Sequence, residues 1–254
     1  MKLNILFRGM SDPGKQRRNN EDSYLINDNL SFAMVADGMG GHNAGEVASS
    51  MATEVTNTKF QIMVRDGTIP PVIKDGFPLK ANQLAHSIEL ASMAIYDASL
   101  AAGKKGMGTT ATSVLMDENK LYFAHVGDSR AYLIRGGIIS QVTDDHSFVM
   151  ESVRKGFMTL EQAEASPLKN IITRALGSED VPEVDVLEVD AVPGDKVILC
   201  TDGLNKCVPD EDLLRIVLSD NDNLDACDDL IEFGNKNGGP DNITVVIGSV
   251  YEEK

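Results

Sequence analysis

Apolar residues along this chain follow two rhythms. In one they form short, nearly unbroken runs: "SFAMVADG" (31–38), "DKVILCTDG" (195–203) and "DNITVVIGSVY" (241–251). Bounded by Asp, Gly or Asn, the first predicts a strand buried on both faces or nearly so, and the other two add two more strands. The stretch 109–142 reads as a meander of β-rich runs broken by the turn-type segments "DEN", "GDS" and "RGG". In the other rhythm, Leu84, Ile88, Ala91, Ile95 and Ala98 recur at spacings of four and three, the single apolar stripe of a helix. Leu213 with Val217, and Leu214 with Leu218, predict a second helix behind Asp210 as N-cap, and 224–235 a third. Strands arrive in clusters instead of alternating with helices. The predicted class is therefore α+β, antiparallel sheets covered by helices. Residues 66–80, with three prolines and two Asp-Gly pairs, predict an ordered surface loop.

The 254 residues show no repeat and no linker that would divide them, so residues 1–254 are expected to form a single domain. An apolar fraction of 42% supplies a sizeable core. The formal charge of −16 argues against nucleic acid and anionic membrane as partners, since both select a basic face. No run approaches the roughly 18 to 20 apolar residues that span a bilayer. "MKLNILFRGM" has neither the apolar core nor the cleavage site of a signal peptide. Cys200, Cys207 and Cys227 lack metal-site or disulfide spacing and fit the reducing cytoplasm.

What changes the picture is where the acidic residues fall. Asp37 and Asp202 end apolar runs and precede glycine. Asp128 follows a third run in "AHVGDSR", Asp241 precedes the last in "GGPDNIT", and Glu21 and Asp22 stand at the entrance of an early strand in "NNEDSY". One Asp-Gly pair is a turn. Several carboxylates at the ends of buried strands would repel one another unless a cation lay among them, and hard oxygen ligands suit Mg²⁺ or Mn²⁺. The glycines of "DGMGG" are expected to leave room for such a cation against the main chain, with the Gly38 carbonyl as a further ligand. Arg17, upstream in "SDPGKQRRNNED", adds the fork that suits a phosphate.

These blocks, with "GMGTTAT", "DHSFVMESVRKG" and "NIITRALG", resemble in order the metal-dependent type 2C serine/threonine protein phosphatases, and among them the small bacterial members. The resemblance spans residues 11–247. It implies a four-layer α-β-β-α sandwich with two central antiparallel sheets, and a centre of two Mn²⁺ or Mg²⁺ ions between them. In that arrangement Asp37 bridges both ions, Asp202 and Asp241 hold the first, and Glu21 and the Gly38 carbonyl serve the second. Asp22 supports them by hydrogen bonding, Arg17 grips the substrate phosphate, and Asp128 with Asp202 holds a third, weaker ion. Arg18 falls on no corresponding position.

The implied reaction is hydrolysis of phosphoserine and phosphothreonine by a hydroxide bridging the metals. The implied partners are phosphorylated proteins, among them a bacterial Ser/Thr kinase whose action the enzyme opposes; the chain is expected to work as a monomer. His42, after "DGMGG", is a candidate acid for the leaving alkoxide, displaced from the family position, where Met39 stands. Residues 145–177 resemble a flap beside the site, with a short helix around Phe148–Val153 and a capping box in "TLEQ" (Thr159 to Gln162). Two departures bear on the flap and the third ion: Ser166 where relatives carry histidine before Pro167, and Lys206 in place of an acidic residue four positions beyond Asp202. A phosphopeptide-binding relative without activity fits less well, because every core ligand position is filled. A calcium loop at 220–231 fails on its sixth and twelfth positions.

Overall fold

The computed structural model describes residues 2–40, 44–101, 106–219 and 223–253. One antiparallel sheet has the strand order β1 (Leu3–Asp12), β11 (Ile243–Glu252), β10 (Lys196–Cys200), β7 (Arg130–Arg135) and β8 (Ile138–Gln141). The other runs β2 (Asp22–Asn27), β3 (Phe32–Met39), β5 (Ala111–Asp117), β6 (Lys120–Val126) and β9 (Asp185–Asp190), with the two-residue β4 (Gly108–Thr109) paired to the end of β3. Helices α1 (Ala44–Asp66) and α2 (Leu79–Ala101) cover the second sheet, and α5 (Asp202–Asn205), α6 (Asp210–Ser219) and α7 (Asn223–Lys236) cover the first.

Strand alternation builds the four layers. Within β3, Phe32, Met34 and Ala36 face the helices, while Ala33 and Val35 face the other sheet. Within β10, Ile198 and Cys200 face α5–α7, while Val197 and Leu199 face inward. The inward set meets Phe7, Val114, Leu121, Phe123, Ala131, Leu133 and Val246 in a core between the sheets. Asp37 continues the parity of Ala33 and Val35. It therefore points into the cleft at the end of that core, where apolar side chains give way.

Two expectations are corrected. The stretch 109–142 is not one meander: β5 and β6 pair in one sheet, β7 and β8 in the other, and the chain crosses at Gly127–Asp128. Gly127 has φ +115°, and a Cβ there would lie 2.6 Å from Thr110. Only glycine makes this crossing without strain, and it delivers Asp128 to the cleft. Asp210 is the first helical residue of α6 and not its cap; the Pro209 carbonyl accepts from the Leu213 N–H, and Asp210, Glu211 and Asp212 lie at the positive end of the helix. The predicted stripe of α2 is otherwise borne out, with Leu84, Ile88, Ala91 and Ile95 fully buried. The loop before α2 is tied by Asn82, whose amide accepts from the Lys74 N–H and donates to the Phe77 and Pro78 carbonyls.

In segment 145–177, α3 (Phe148–Arg154) and α4 (Leu160–Glu164) follow as expected, and Thr159 and Gln162 form the reciprocal capping box. No described helix is long and apolar enough to cross a membrane.

Phe123, fully buried between the sheets, gives a direct check of this core. Phe123→Ala should lower the unfolding free energy by about 3–5 kcal/mol in urea titrations; a loss below about 1 kcal/mol would contradict the inter-sheet placement.

Candidate active site

The six acidic positions singled out by the sequence come together. Glu21, Asp37, Asp128, Asp202 and Asp241 line one cavity of about 320 Å³ with Arg17, Gly38, Asn170, Ile172, Lys206 and Asn242. Asp22, the register partner of Asp37, lies behind them. Its Oδ2 accepts from the hydroxyls of Thr201 and Thr244, each at 2.7 Å. A larger cavity of about 750 Å³, at the opposite ends of the strands around Asp28–Ser31 and Asp117–Asn119, contains none of these residues. His42 lies outside the described residues.

Main-chain contacts hold the cluster. The Asp37 N–H donates to Thr110 Oγ1 at 2.8 Å, and its carbonyl accepts from the Thr109 hydroxyl at 2.8 Å and the Thr110 N–H at 2.9 Å. The Gly38 N–H donates to the Glu21 carbonyl at 3.1 Å. Asn242 joins three segments: its Oδ1 accepts from the Glu21 N–H, and its amide donates to the Pro13 and Asn19 carbonyls. This asparagine opens the sequon "NIT", yet it is buried and all these bonds are internal. The sequence reading missed it, although its place beside Asp241 was the available signal. Thr201 and Thr244 were missed too, because a threonine in a β-rich run looks like any other strand residue.

The glycine after Asp37 has a different reason from the one expected. A Cβ on Gly38 would fall 2.1 Å from the Gly45 carbonyl oxygen and 2.5 Å from that of Glu21. The space is filled by the main chain of α1 and of the segment before β2, so glycine serves close packing there and does not open a void. Gly45 in turn lies against the Glu21 carboxylate.

Electrostatically the cluster is under stress. Burial raises Asp22 to about 7, with Asp202 and Asp241 adding to the shift against the two threonine bonds. Burial and the charge of Asp202 raise Asp128 to about 7. Burial and four neighbouring aspartates push Asp37 well above the usual carboxylate range. Asp202 is raised by burial, with Lys206 opposing, and Glu21 is raised by burial, with Arg17 opposing. Cations of the chain are drawn in. Arg17 forks onto Asp241, Nε to Oδ1 and Nη2 to Oδ2, both at 3.0 Å. The Lys206 ammonium contacts Asp202 Oδ2 and reaches Asp241 Oδ2 at 3.3 Å.

With those contacts made, no group of three or more described His, Cys, Asp or Glu side chains forms a ready-made metal cage. The oxygens left over are informative. Asp22 Oδ1, Asp128 Oδ1 and Asp202 Oδ1 are buried without any hydrogen-bond partner. An unpartnered buried carboxylate oxygen is costly; those of Asp128 and Asp202 line the cavity, with that of Asp22 behind it, and such oxygens suit a hard divalent cation. The donor set thus fits Mn²⁺ or Mg²⁺.

The protein phosphatase 2C family model matches residues 2–152, more than half of the chain. The chain belongs to the protein phosphatase 2C family. It is 37% identical to protein phosphatase PhpP of Streptococcus pneumoniae over 96% of this chain and 97% of that protein. It superposes on the serine/threonine phosphatase PstP/Ppp of Mycobacterium tuberculosis with a TM-score of 0.83 at 34% identity, covering 98% of this chain and 99% of that one. A structure of the PstP catalytic domain in complex with two manganese ions gives a TM-score of 0.81 at 34% identity, covering 99% of this chain and 100% of that one. The α+β architecture of two antiparallel sheets with helices is that of this phosphatase 2C family.

A carboxyl whose pKa is raised on folding keeps a proton that the unfolded chain releases. Its contribution to stability is complete below the unfolded pKa and is lost as pH rises through the folded one. For Asp22 and Asp128 that window runs from 3.8 to about 7. The metal-free protein should therefore melt at progressively lower temperature as pH is raised across this window, and Asp128→Asn should flatten part of the fall. Scanning calorimetry in chelator checks this; a wild-type midpoint that rises with pH across the window would contradict it.

Proposed function

We propose that this chain is a metal-dependent protein serine/threonine phosphatase that hydrolyses phosphoserine and phosphothreonine in proteins. The observation that carries the reading is the gathering of Glu21, Asp37, Asp128, Asp202 and Asp241 around one cavity, with buried oxygens of Asp128 and Asp202 left unpartnered, in a chain of the phosphatase 2C family. Asp37 would serve two divalent ions, Mn²⁺ or Mg²⁺, with Asp202 and Asp241 on one and Glu21 and the Gly38 carbonyl on the other. Asp128 with Asp202, whose Oδ1 atoms both lack partners, would hold a further, weaker ion. Bound there, such ions screen the phosphoryl charge and acidify water at neutral pH.

The chain's own residues do the rest. Asp22, clamped by Thr201 and Thr244, fixes its end of β2 behind Asp37. Arg17 is half-exposed on the cavity rim, and its fork can leave Asp241 to take two oxygens of a phosphoryl group carrying about −1.5 to −2 charges. Attack by water forms the new P–O bond, the ester P–O bond breaks, and the serine or threonine oxygen takes a proton. The residues 1–254 would act as one catalytic domain, with 145–177 as a flap beside the entrance; Asn170 and Ile172 of that segment line the cavity.

An enzyme that only removes phosphate presupposes one that adds it, so a Ser/Thr kinase and its targets are the fitting partners. The three buried thiols suit the cytoplasm, and the chain is taken to act as a monomer.

Asp37→Asn and Asp202→Asn should each lower kcat on a phosphopeptide with Mn²⁺ by about a thousandfold or more while circular dichroism stays that of a folded domain; activity within about tenfold of wild type would contradict the assignment. Arg17→Ala should raise KM for phosphopeptide by about tenfold with a smaller change in kcat, and an unchanged KM would remove Arg17 from the phosphate site.

A further inference from the structure

Lys206 follows Asp202 by one helical turn. It caps α5, its N–H donating to the Asp202 carbonyl at 3.0 Å, so its side chain rises on the same face as the Asp202 carboxylate. Its ammonium bridges Oδ2 of Asp202 and Oδ2 of Asp241. Asp241 also carries the Arg17 fork, which leaves both of its oxygens engaged by cations of the chain. Asp202 and Asp241 are the pair to which the proposed function gives one divalent ion, and an ammonium and a divalent ion cannot share the same carboxylate oxygens without strong repulsion at such short range.

The ammonium also has somewhere to go. Lys206 is one-third exposed and lines both the reaction cavity and an adjoining groove of about 560 Å³. That groove holds the exposed carboxylates of Glu164 and Asp210 and also Lys169 and Arg130, the last neutralised by Asp145. A lysine has three rotatable donors on a flexible stem, and Lys206 already borders both spaces, so its ammonium can turn from the cavity toward the groove by rotation of the side chain.

We propose that Lys206 is an internal counter-cation that competes with divalent metal for Asp202 and Asp241, and that metal loading turns its ammonium out toward the groove. The proposal rests on the metal-dependent reading above. In the metal-free chain Lys206 relieves the repulsion between the two aspartates. It does so at the expense of metal affinity, because each ion entering this side must displace it. The site is thereby set to fill only when divalent metal is plentiful, without any regulatory subunit.

The test is Mn²⁺ titration by isothermal calorimetry on wild type, Lys206→Met and Lys206→Arg, with metal-free melting of each. Lys206→Met should bind Mn²⁺ about tenfold more tightly and melt about 2–4 °C lower without metal, while Lys206→Arg stays near wild type. Equal or weaker Mn²⁺ affinity in Lys206→Met overturns the proposal and leaves the metal-dependent reading intact. No Mn²⁺ binding in any of the three proteins overturns both. Wild type supplies a second measurement that does not depend on how the variants fold: acylation of the Lys206 amine by acetic anhydride, read by mass spectrometry against the exposed Lys236. Labelling of Lys206 should rise several-fold on adding Mn²⁺; unchanged labelling overturns the proposal.

Discussion

Mutual repulsion among carboxylates forced into one cleft is the constraint on which this structure turns. The apolar alternation of β3, β10 and β11 drives two sheets face to face, and the same alternation, carried a residue or two past the core, aims Asp37 into the gap. Burial deprives these groups of water while their neighbours share their sign, so Asp22, Asp37, Asp128 and Asp202 are all shifted upward. A folded chain tolerates this only with compensating positive charge. Arg17 and Lys206 supply part of it, and the oxygens they do not reach define what is still wanted.

The surrounding backbone is built to hold that stress. Gly38 lets α1 and the segment before β2 close on β3 within van der Waals range. Gly127 lets the chain cross between sheets at Asp128. Asn242 and the Thr201–Thr244 pair tie loops distant in sequence to the two acidic residues of the β2 entrance. Farther out, His125 and His146 are fully buried, with ring centroids 4.6 Å apart. His146 Nδ1 accepts from the Gly127 N–H, and Nε2 bonds Asp185. The sheet crossing is thus tied to the segment that borders the cavity. Rigidity of this order suits chemistry in which ligands must hold position while substrate exchanges.

Much of this was legible in the sequence, for identifiable reasons. The acidic residues end or precede long apolar runs, and run and carboxylate together imply a group held at a strand end. Helix α2 was legible because its buried face is Leu and Ile at helical spacing. Helix α1 was not. It buries Ala44, Ala48, Ser49, Ala52, Thr53 and Thr56, small residues that let the helix approach the sheet but leave little contrast between its faces. Strand β1 escaped notice because its second half, Arg8–Asp12, is only partly buried, and β9 because every residue of it is partly or wholly exposed. The split of the 109–142 run between two sheets could not be seen, since a turn within a sheet and a crossing between sheets both read as "GDS". The seat of Arg17 on Asp241 was equally hidden, because an ion pair across 224 residues leaves no local pattern; the Lys206–Asp202 contact, four residues apart, was open to a sequence reading.

The central claim is that these carboxylates exist to bind a pair of divalent ions. Anomalous diffraction at the manganese edge, from crystals soaked in Mn²⁺, tests it most directly. Two strong peaks flanking the Asp37 carboxylate, one within coordination distance of Asp202 and Asp241 and the other beside Glu21 and the Gly38 carbonyl, is the predicted result. A cleft without anomalous signal at saturating Mn²⁺, with Arg17 and Lys206 still seated on the aspartates, would contradict the account.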